Sequence, residues 1–383
     1  MPSKANLPAL NATNHINSFY FAMTNKHFLN LFMVLALSVL PALSHADEPP
    51  TWQLSGYAEG YYLHDFNGNG IEQRPDFTYS HNVSHAPSIN LALIKASFNQ
   101  PKLRANLAIG GGTYMRANYA AEPDNLQKIF EANVGVKLSD QHNLWLDVGV
   151  MPSHIGFESA IGADNWTVTR SLLADNSPYF ETGARVAYTS EDGQWYVSGL
   201  LLNGWQRIQR PDGNTTPAIG HQLTYKPNSK VTLNSSSFIG NDKSDRARKM
   251  RYFHNLYGQF QLNEQWSVIA GLDVGAEQAE HNSSRYHTWF TPIMIARYAY
   301  SERVAFAGRV EYYQDQHGVI IDTGTPNGFK TAAYSINMDI NLTPKALLRT
   351  ELRAFNSQDK LFTKDDHVSD NSLIATTSLS LRF

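Results

Sequence analysis

Along most of this chain, apolar and polar residues alternate one by one. The last stretch, Asn371 to Phe383, is the plainest case. Leu373, Ala375, Thr377, Leu379, Leu381 and Phe383 share one parity; Ser372, Thr376, Ser378, Ser380 and Arg382 share the other, with Ile374 the apolar intruder. Successive side chains of a strand point to opposite faces, so this segment has an oily face and a wet face. An open strand of this kind invites aggregation, whereas in a closed barrel its edges are paired and its oily face meets lipid.

The design recurs. In Trp52–Asp65, Trp52, Leu54, Gly56, Ala58, Gly60 and Tyr62 oppose Gln53, Ser55, Tyr57, Glu59 and Tyr61. In Ala332–Leu342 the separation is complete, Ala332, Tyr334, Ile336, Met338, Ile340 and Leu342 against Ala333, Ser335, Asn337, Asp339 and Asn341. Further strands are expected at His85–Asn99, Leu103–Tyr114, Lys128–Leu138, Leu144–Met151, Phe180–Tyr188, Trp195–Arg207, Pro217–Lys226 and Val231–Asn241. The series continues with Tyr252–Leu262, Trp266–Gln278, Phe290–Tyr300, Val304–Asp315, Phe329–Leu342 and Lys345–Asn356. That makes about sixteen segments, most near the 9–11 residues a tilted strand needs to cross a membrane. Tight turns alternate with longer loops. The pattern predicts an all-β fold: a transmembrane antiparallel up-and-down barrel of the bacterial outer membrane, with both termini on the periplasmic side. Trp145, Trp195 and Trp266 follow tight turns, and Tyr225 and Tyr300 precede them, as an interfacial aromatic girdle requires.

Composition sharpens this picture. The 383 residues are 42% apolar and 17% charged, too polar for a helical membrane protein. The long apolar run, Leu29 to Leu43, is 15 residues, short for a spanning helix. Lys26 precedes it and Ser44-His45-Ala46 follows, so residues 1–46 are expected to be an upstream extension and signal peptide, started at Met23 and cleaved after Ala46. The competing assignment, a buried core helix, does not explain that order. Residues 47–383 would form the barrel. Residues 1–46 hold two lysines and no acid, so the net charge of −3 becomes −5 in the remainder, and no basic surplus points to nucleic acid. Cysteine is absent, so an exported chain must rely on its core, or on lipid and a closed ladder.

Charge within the strands falls on the polar parity. Nine basic residues (Lys95, Arg104, Lys137, Arg185, Arg297, Arg309, Arg349, Arg353, Arg382) face nine acids (Glu59, Glu131, Asp147, Glu181, Asp273, Glu277, Glu311, Asp339, Glu351). At mid-membrane an Arg or Lys on the lipid side costs about 2–4 kcal/mol, so these side chains belong to an interior that solvates or pairs them. The balance argues against strong ion selectivity. The alternative, a solvent face on a soluble β-sandwich or solenoid, does not account for the leader and the membrane-length strands.

The connection Ile155 to Tyr179 is too apolar for a free loop, with Ile155, Phe157, Ile161, Trp166, Val168, Leu172 and Leu173. It is expected to fold into the lumen, with Glu158, Asp164, Arg170 and Asp175 at a constriction. Arg185, Asp273 and the groups Arg309–Glu311 and Arg349–Glu351–Arg353 would line the pore. A small cap or two extra short strands are the competing structures.

A family resemblance enters at these residues. Gly156-Phe157, Asn165, Arg170-Ser171-Leu172-Leu173, Ser177-Pro178 and Gly183-Ala184-Arg185, with the opening Gly56-Tyr57-Ala58-Glu59-Gly60-Tyr61-Tyr62 and the final Phe383, resemble the β-barrel porin family called porin-2 or OmpL-like. The likeness spans most of residues 47–383. It implies an outer-membrane pore whose substrate is usually unassigned. The expected partners are outer-membrane lipid and lipopolysaccharide, small hydrophilic solutes and, through the Phe383 strand, the barrel-assembly machinery, with an oligomer left open. The first loop departs from the family in being rich in Gly and Asn.

That loop also carries the metal pattern. Asp65, Asn67, Asn69, Gly70 and Asp76 match EF-hand spacing for Ca2+ in the first outer loop, although the last ligand is Asp rather than Glu and turn-rich sequence produces such matches. No other cofactor is expected. His81 and His85 share metal-ligand spacing, and Lys243, Arg246, Arg248, Lys249 and Arg251 form a basic run suited to lipid phosphates or simply to solvent. His281-Asn282-Ser283 and His254-Asn255 supply catalytic residue types without a spacing that specifies a triad. Passive diffusion of small hydrophilic solutes is the expected function. The alternatives are an outer-membrane enzyme of lipase or protease type, marked by dependence on one His, and a plugged structural or adhesion barrel, marked by absence of conductance.

Overall fold

The computed structural model describes residues 49–383 apart from 69, 71–73, 365 and 366. The expected leader, its start at Met23 and cleavage after Ala46, and Asn69 of the metal pattern lie outside the described residues.

The strands are β1 (Thr51–Asp65), β2 (Ser88–Asn99), β3 (Leu103–Gly111), β4 (Ile129–Lys137), β5 (Asn143–Pro152) and β6 (Phe180–Thr189). They continue with β7 (Trp195–Leu202), β8 (Ala218–Asn228), β9 (Val231–Gly240), β10 (Arg251–Gln261), β11 (Trp266–Gln278) and β12 (Tyr286–Ala299). Last come β13 (Val304–Asp315), β14 (Phe329–Thr343), β15 (Ala346–Ser357), a small hairpin β16 (Phe362–Lys364) and β17 (His367–Ser369), and β18 (Asn371–Arg382). Among the described residues, sixteen strands, β1 to β15 and β18, pair antiparallel in sequence order, and β18 closes on β1. The seam runs from Tyr57 opposite Arg382 to Asp65 opposite Ile374.

The alternation sorts the two faces as lipid demands. Leu54, Val134, Ile336 and Leu379 face outward and are exposed, whereas Glu59, Asp147, Glu181, Arg309 and Glu351 face inward and are buried. Closure pairs both edges of the sixteen-strand sheet. At the seam, Gly56 and Phe383 exchange backbone N–H···O bonds of 2.8 and 3.1 Å, and the Phe383 ring lies where a Cβ on Gly56 would stand, 2.3 Å from it.

Several boundaries differ from the sequence pattern. β3 stops at Gly111, because Gly112 takes φ 126° and a helical turn α1 (Thr113–Asn118) follows, carrying Tyr114. β7 ends at Leu202, not Arg207; Leu200 and Leu202 turn inward against loop residues while Leu201 lies outward between them. β12 begins four residues before Phe290, and the β16–β17 hairpin lies outside the alternating segments. Trp195 and Trp266 do face outward, stacked on Tyr225 at 4.1 Å and tilted on Tyr298 at 4.9 Å. Trp145 does not join this girdle. It shares parity with inward Asp147, and Arg104 stands 4.2 Å over its ring. Arg251 is no loop residue either: it is buried in β10 and pairs with Glu277 at 2.6 Å and Asp242 at 3.1 Å.

The longer connections lie at one end: L1 (66–87), L2 (112–128), L3 (153–179), L4 (203–217), L5 (241–250), L6 (279–285), L7 (316–328) and L8 (358–370).

Candidate functional site

The interior is shaped by L3, which leaves β5, enters the barrel and docks on the wall of β13 to β15. Its apolar residues explain the entry, and its backbone explains the wall. Irregular backbone inside a membrane-spanning barrel has no ladder partners, so its N–H and C=O groups need side chains. Arg309, Arg349, Arg353, Glu311 and Glu351 supply them. Glu351 accepts from Thr169 N–H at 2.6 Å and from its hydroxyl at 2.7 Å, and Glu311 accepts from Leu172 N–H at 2.6 Å. Arg309 donates to Thr169 O at 2.8 Å, Arg353 to Arg170 O at 2.8 Å, and Arg349 to Gly162 O and Asn165 O at 2.8 and 2.7 Å. Asn337 accepts from Val168 N–H.

The same groups neutralise one another. Arg309 pairs with Glu351 at 2.8 Å and Glu311 at 3.2 Å, and Arg353 pairs with Glu311 at 2.6 Å. Arg349 pairs with Asp339 at 2.8 Å, so the expected Arg349–Glu351–Arg353 group is divided. The cause is register. Asp339 lies directly opposite Arg349 across the β14–β15 pair, whereas Glu351 reaches over β14 to Arg309. These residues face inward as expected, but their charged ends are sealed under L3, at most 2% exposed for the three arginines.

L3 holds its own shape with charge. Glu158 accepts from Ser171 N–H at 3.1 Å and from the Ser171 hydroxyl, and Ser171 caps the one-turn helix α2 (Leu172–Asp175). Arg170 is fully buried and donates to Ala160 O at 2.7 Å and Val168 O at 3.3 Å. Asp175 is buried and accepts from the Ser80 hydroxyl of L1 at 3.2 Å. Burial pushes its carboxyl up to about 7 against the pull of Arg353 and Arg170. Asp164 alone of the four constriction candidates is exposed, paired with Arg382 of β18.

The opposite half, β1 to β7, keeps room. A cavity of about 550 Å³ is bordered by Tyr57, Lys95, Glu131, Phe157, Asp164, Tyr179 and Arg382. Lys95 and Glu131 pair at 2.6 Å on its wall. A second space, about 280 Å³, holds Arg104 bound through two nitrogens to Asp147 at 2.7 and 2.6 Å, with Arg185 on the same carboxylate at 3.1 Å. Asp273, deep in the β11 wall, accepts from Asn255 at 2.5 Å. Alternation exposed the inward parity of Lys95 and Glu131; their place on the cavity depends on which half L3 leaves open.

The loop end is roofed. Asn176 of L3 donates to Phe77 O of L1, Glu122 of L2 accepts from Ile208 and Gln209 N–H of L4 at 2.9 and 3.0 Å, and Gln206 of L4 accepts from Tyr179 N–H. Phe77 packs on Phe329 and Phe362. A dimple of about 420 Å³ touches Asp76, Asn176, Asp322 and Lys360. His81 reaches Glu59 at 3.2 Å, and His85 stands edge-on to His64, so these two histidines diverge. Asp65 is engaged by Arg74, and Asn67 donates to Asn371 O at 2.6 Å. Asp76 is exposed at the dimple.

A closed sixteen-strand barrel with charges inward, apolar residues outward and an inserted loop defines an outer-membrane porin. Residues 51–383 match the family described as "Putative beta-barrel porin-2, OmpL-like", and the chain belongs to it. The barrel is similar to OmpT of Vibrio cholerae, with 9% identity, TM-score 0.56, and coverage of 89% of this chain and 100% of that one. It is similar also to an anion-selective porin from Comamonas acidovorans, with 9% identity, TM-score 0.57 and coverage of 88% and 100%. OprB of Pseudomonas putida has 11% identity, TM-score 0.54 and coverage of 87% and 94%. No curated protein matches the chain. The protein is thus a porin of the outer membrane, in contact with its lipid.

Proposed function

We propose that the protein admits small hydrophilic solutes by passive diffusion along the β1–β7 half of its lumen. The carrying observation is the asymmetry of the interior: L3 seals the β13–β15 charges, and the cavity beside Lys95, Glu131, Asp164 and Arg382 keeps free volume. Paired charges of both signs along that half favour weak, reversible contact with polar solutes, which a pore needs if it is to release them. The interlocked roof implies that conduction begins when a loop contact parts. It also favours a second reading, a plugged barrel.

Single-channel recording of the refolded chain in a planar bilayer separates the two. Stepwise openings whose conductance changes in Asp164→Ala and Arg382→Ala support diffusion through this half. Openings indifferent to both would move the path elsewhere. A heat-modifiable barrel without openings would favour the plug.

A further inference from the structure

The inner wall of β3 to β6, toward the short-turn end, sets two guanidiniums on one carboxylate. Arg104 donates through Nε and Nη2 to Asp147 at 2.7 and 2.6 Å, and Arg185 donates through Nη2 to the same group at 3.1 Å. Asp147 is buried, whereas both arginines are partly exposed and border the space of about 280 Å³. The strands around them prepare this seat. A Cβ on Gly135 would stand 2.4 Å from an Asp147 oxygen and 2.9 Å from Arg104 Cγ, so a glycine there makes the room for the pair. The Trp145 ring lies 4.2 Å from the Arg104 guanidinium and is itself tied to Asn143 at 2.8 Å. Those contacts hold Arg104 in place before any solute arrives.

Donors exceed acceptors here. One carboxylate cannot use all the N–H groups of two guanidiniums. Arg185 Nε is buried and has no hydrogen-bond partner among the described residues. On the β13–β15 wall the same surplus is taken up by L3, where Arg309, Arg349 and Arg353 donate to backbone carbonyls. Arg104 and Arg185 have no such bond to L3 among the described residues. Positive charge is in excess as well, two cations against one anion, because the neighbouring acids are already engaged. Glu131 pairs with Lys95 at 2.6 Å and Glu181 with His154 at 2.7 Å.

We propose that Arg104 and Arg185 form a binding station for small monocarboxylates passing along the β1–β7 half of the lumen. As a step in passage it rests on the diffusion reading above; as a site it is measurable without conduction. A guanidinium offers paired N–H groups that match the two oxygens of a carboxylate. A monoanion cancels the single surplus charge, whereas a phosphate group brings about −1.5 to −2 and overshoots it. The space is smaller than the roughly 300–1,000 Å³ of sites for drug-sized ligands, so it suits a small acid. Trp145, Pro152, Ala187 and Tyr196 also border it and give the carbon chain of the acid an apolar seat.

Saturation-transfer NMR on the refolded barrel in detergent, with propionate as the probe, tests the site. Propionate is expected to give a signal that neutral propionamide does not, and inorganic phosphate should displace it less than acetate at the same concentration. Arg185→Gln leaves Arg104 and Asp147 as a neutral pair, so the barrel should still form while the propionate signal falls severalfold. Asp147→Asn removes the competing carboxylate and should raise propionate affinity severalfold, a gain that a merely structural ion pair would not give. A signal unchanged in Arg185→Gln, a weaker one in the folded Asp147→Asn barrel, or stronger displacement by phosphate overturns the proposal. Bilayer recording of the same protein keeps the two readings apart. Openings without propionate binding remove the site and keep the pore; binding without openings upholds the site and overturns diffusion.

Discussion

At the scale of single residues, two positions make the clearest predictions. Gly56 leaves room for the Phe383 ring at the seam, so any side chain there meets the ring that ends the barrel. Gly56→Val is expected to lower the fraction of chain reaching the heat-modifiable barrel form severalfold. An unchanged fraction on unheated gels would mean the ring finds another seat at no cost. Asp175 is a buried acid whose carboxyl is held at about 7 rather than its ordinary 3.8. Parting of L1 from L3 returns it toward the ordinary value, so the closed roof holds a proton that the open one releases. Closure is fully favoured below about pH 4, weakens as pH rises to about 7, and is flat above that. Open time in single-channel records should therefore rise from pH 4 to 7, and Asp175→Asn should remove the slope. A slope that persists in the Asn variant belongs to another group.

At the scale of elements, L3 and its wall act as one unit. The wall arginines and glutamates replace the hydrogen-bond ladder that irregular backbone lacks. Breaking a buried pair leaves the partner charge uncompensated, at about 3–5 kcal/mol. Glu351→Ala should thus loosen L3 by that order, seen as a lower barrel melting temperature and noisier conductance. Arg309→Leu with Glu351→Leu should recover part of the melting temperature, because a packed apolar pair carries no desolvation cost, while the Thr169 contacts stay lost. If the double variant is no better than the single, the backbone contacts of L3 outweigh the ion pair. The apolar residues of 155–179 announced the inward fold. The wall it lands on was not legible, since landing depends on which inward charges line up across β13, β14 and β15.

At the scale of the whole molecule, the barrel has two unlike halves. Charges on β13 to β15 serve the loop, and charges on β1 to β7 border the free space. Selectivity should answer only to the second set. Lys95→Gln is expected to shift the reversal potential in a salt gradient toward cations, and Glu131→Gln toward anions. A null result at both positions would place the path outside the 550 Å³ cavity. Outward-facing His221 of β8, Ser235 and Ser237 of β9 and His254 of β10 hydrogen-bond in one row across three strands, a feature of this scale as well. His254 is an ordinary strand histidine in the sequence, and becomes part of a cluster only when three strands are set in register.

The sequence by itself determined the barrel, its sixteen strands and the facing of nearly every residue within them. Lipid acts on each strand separately, and a period of two is a local signal that needs no knowledge of neighbours. Even the inward turn of Trp145 was written there, in its shared parity with Asp147. Tertiary structure alone decided which charges meet, which are sealed, where the free volume lies and which outward residues cluster. Arg349 chose Asp339 over Glu351, and His221 met Ser237 and Ser235, through strand register. Those outcomes depend on distances between residues far apart in the chain, which alternation along one strand does not encode.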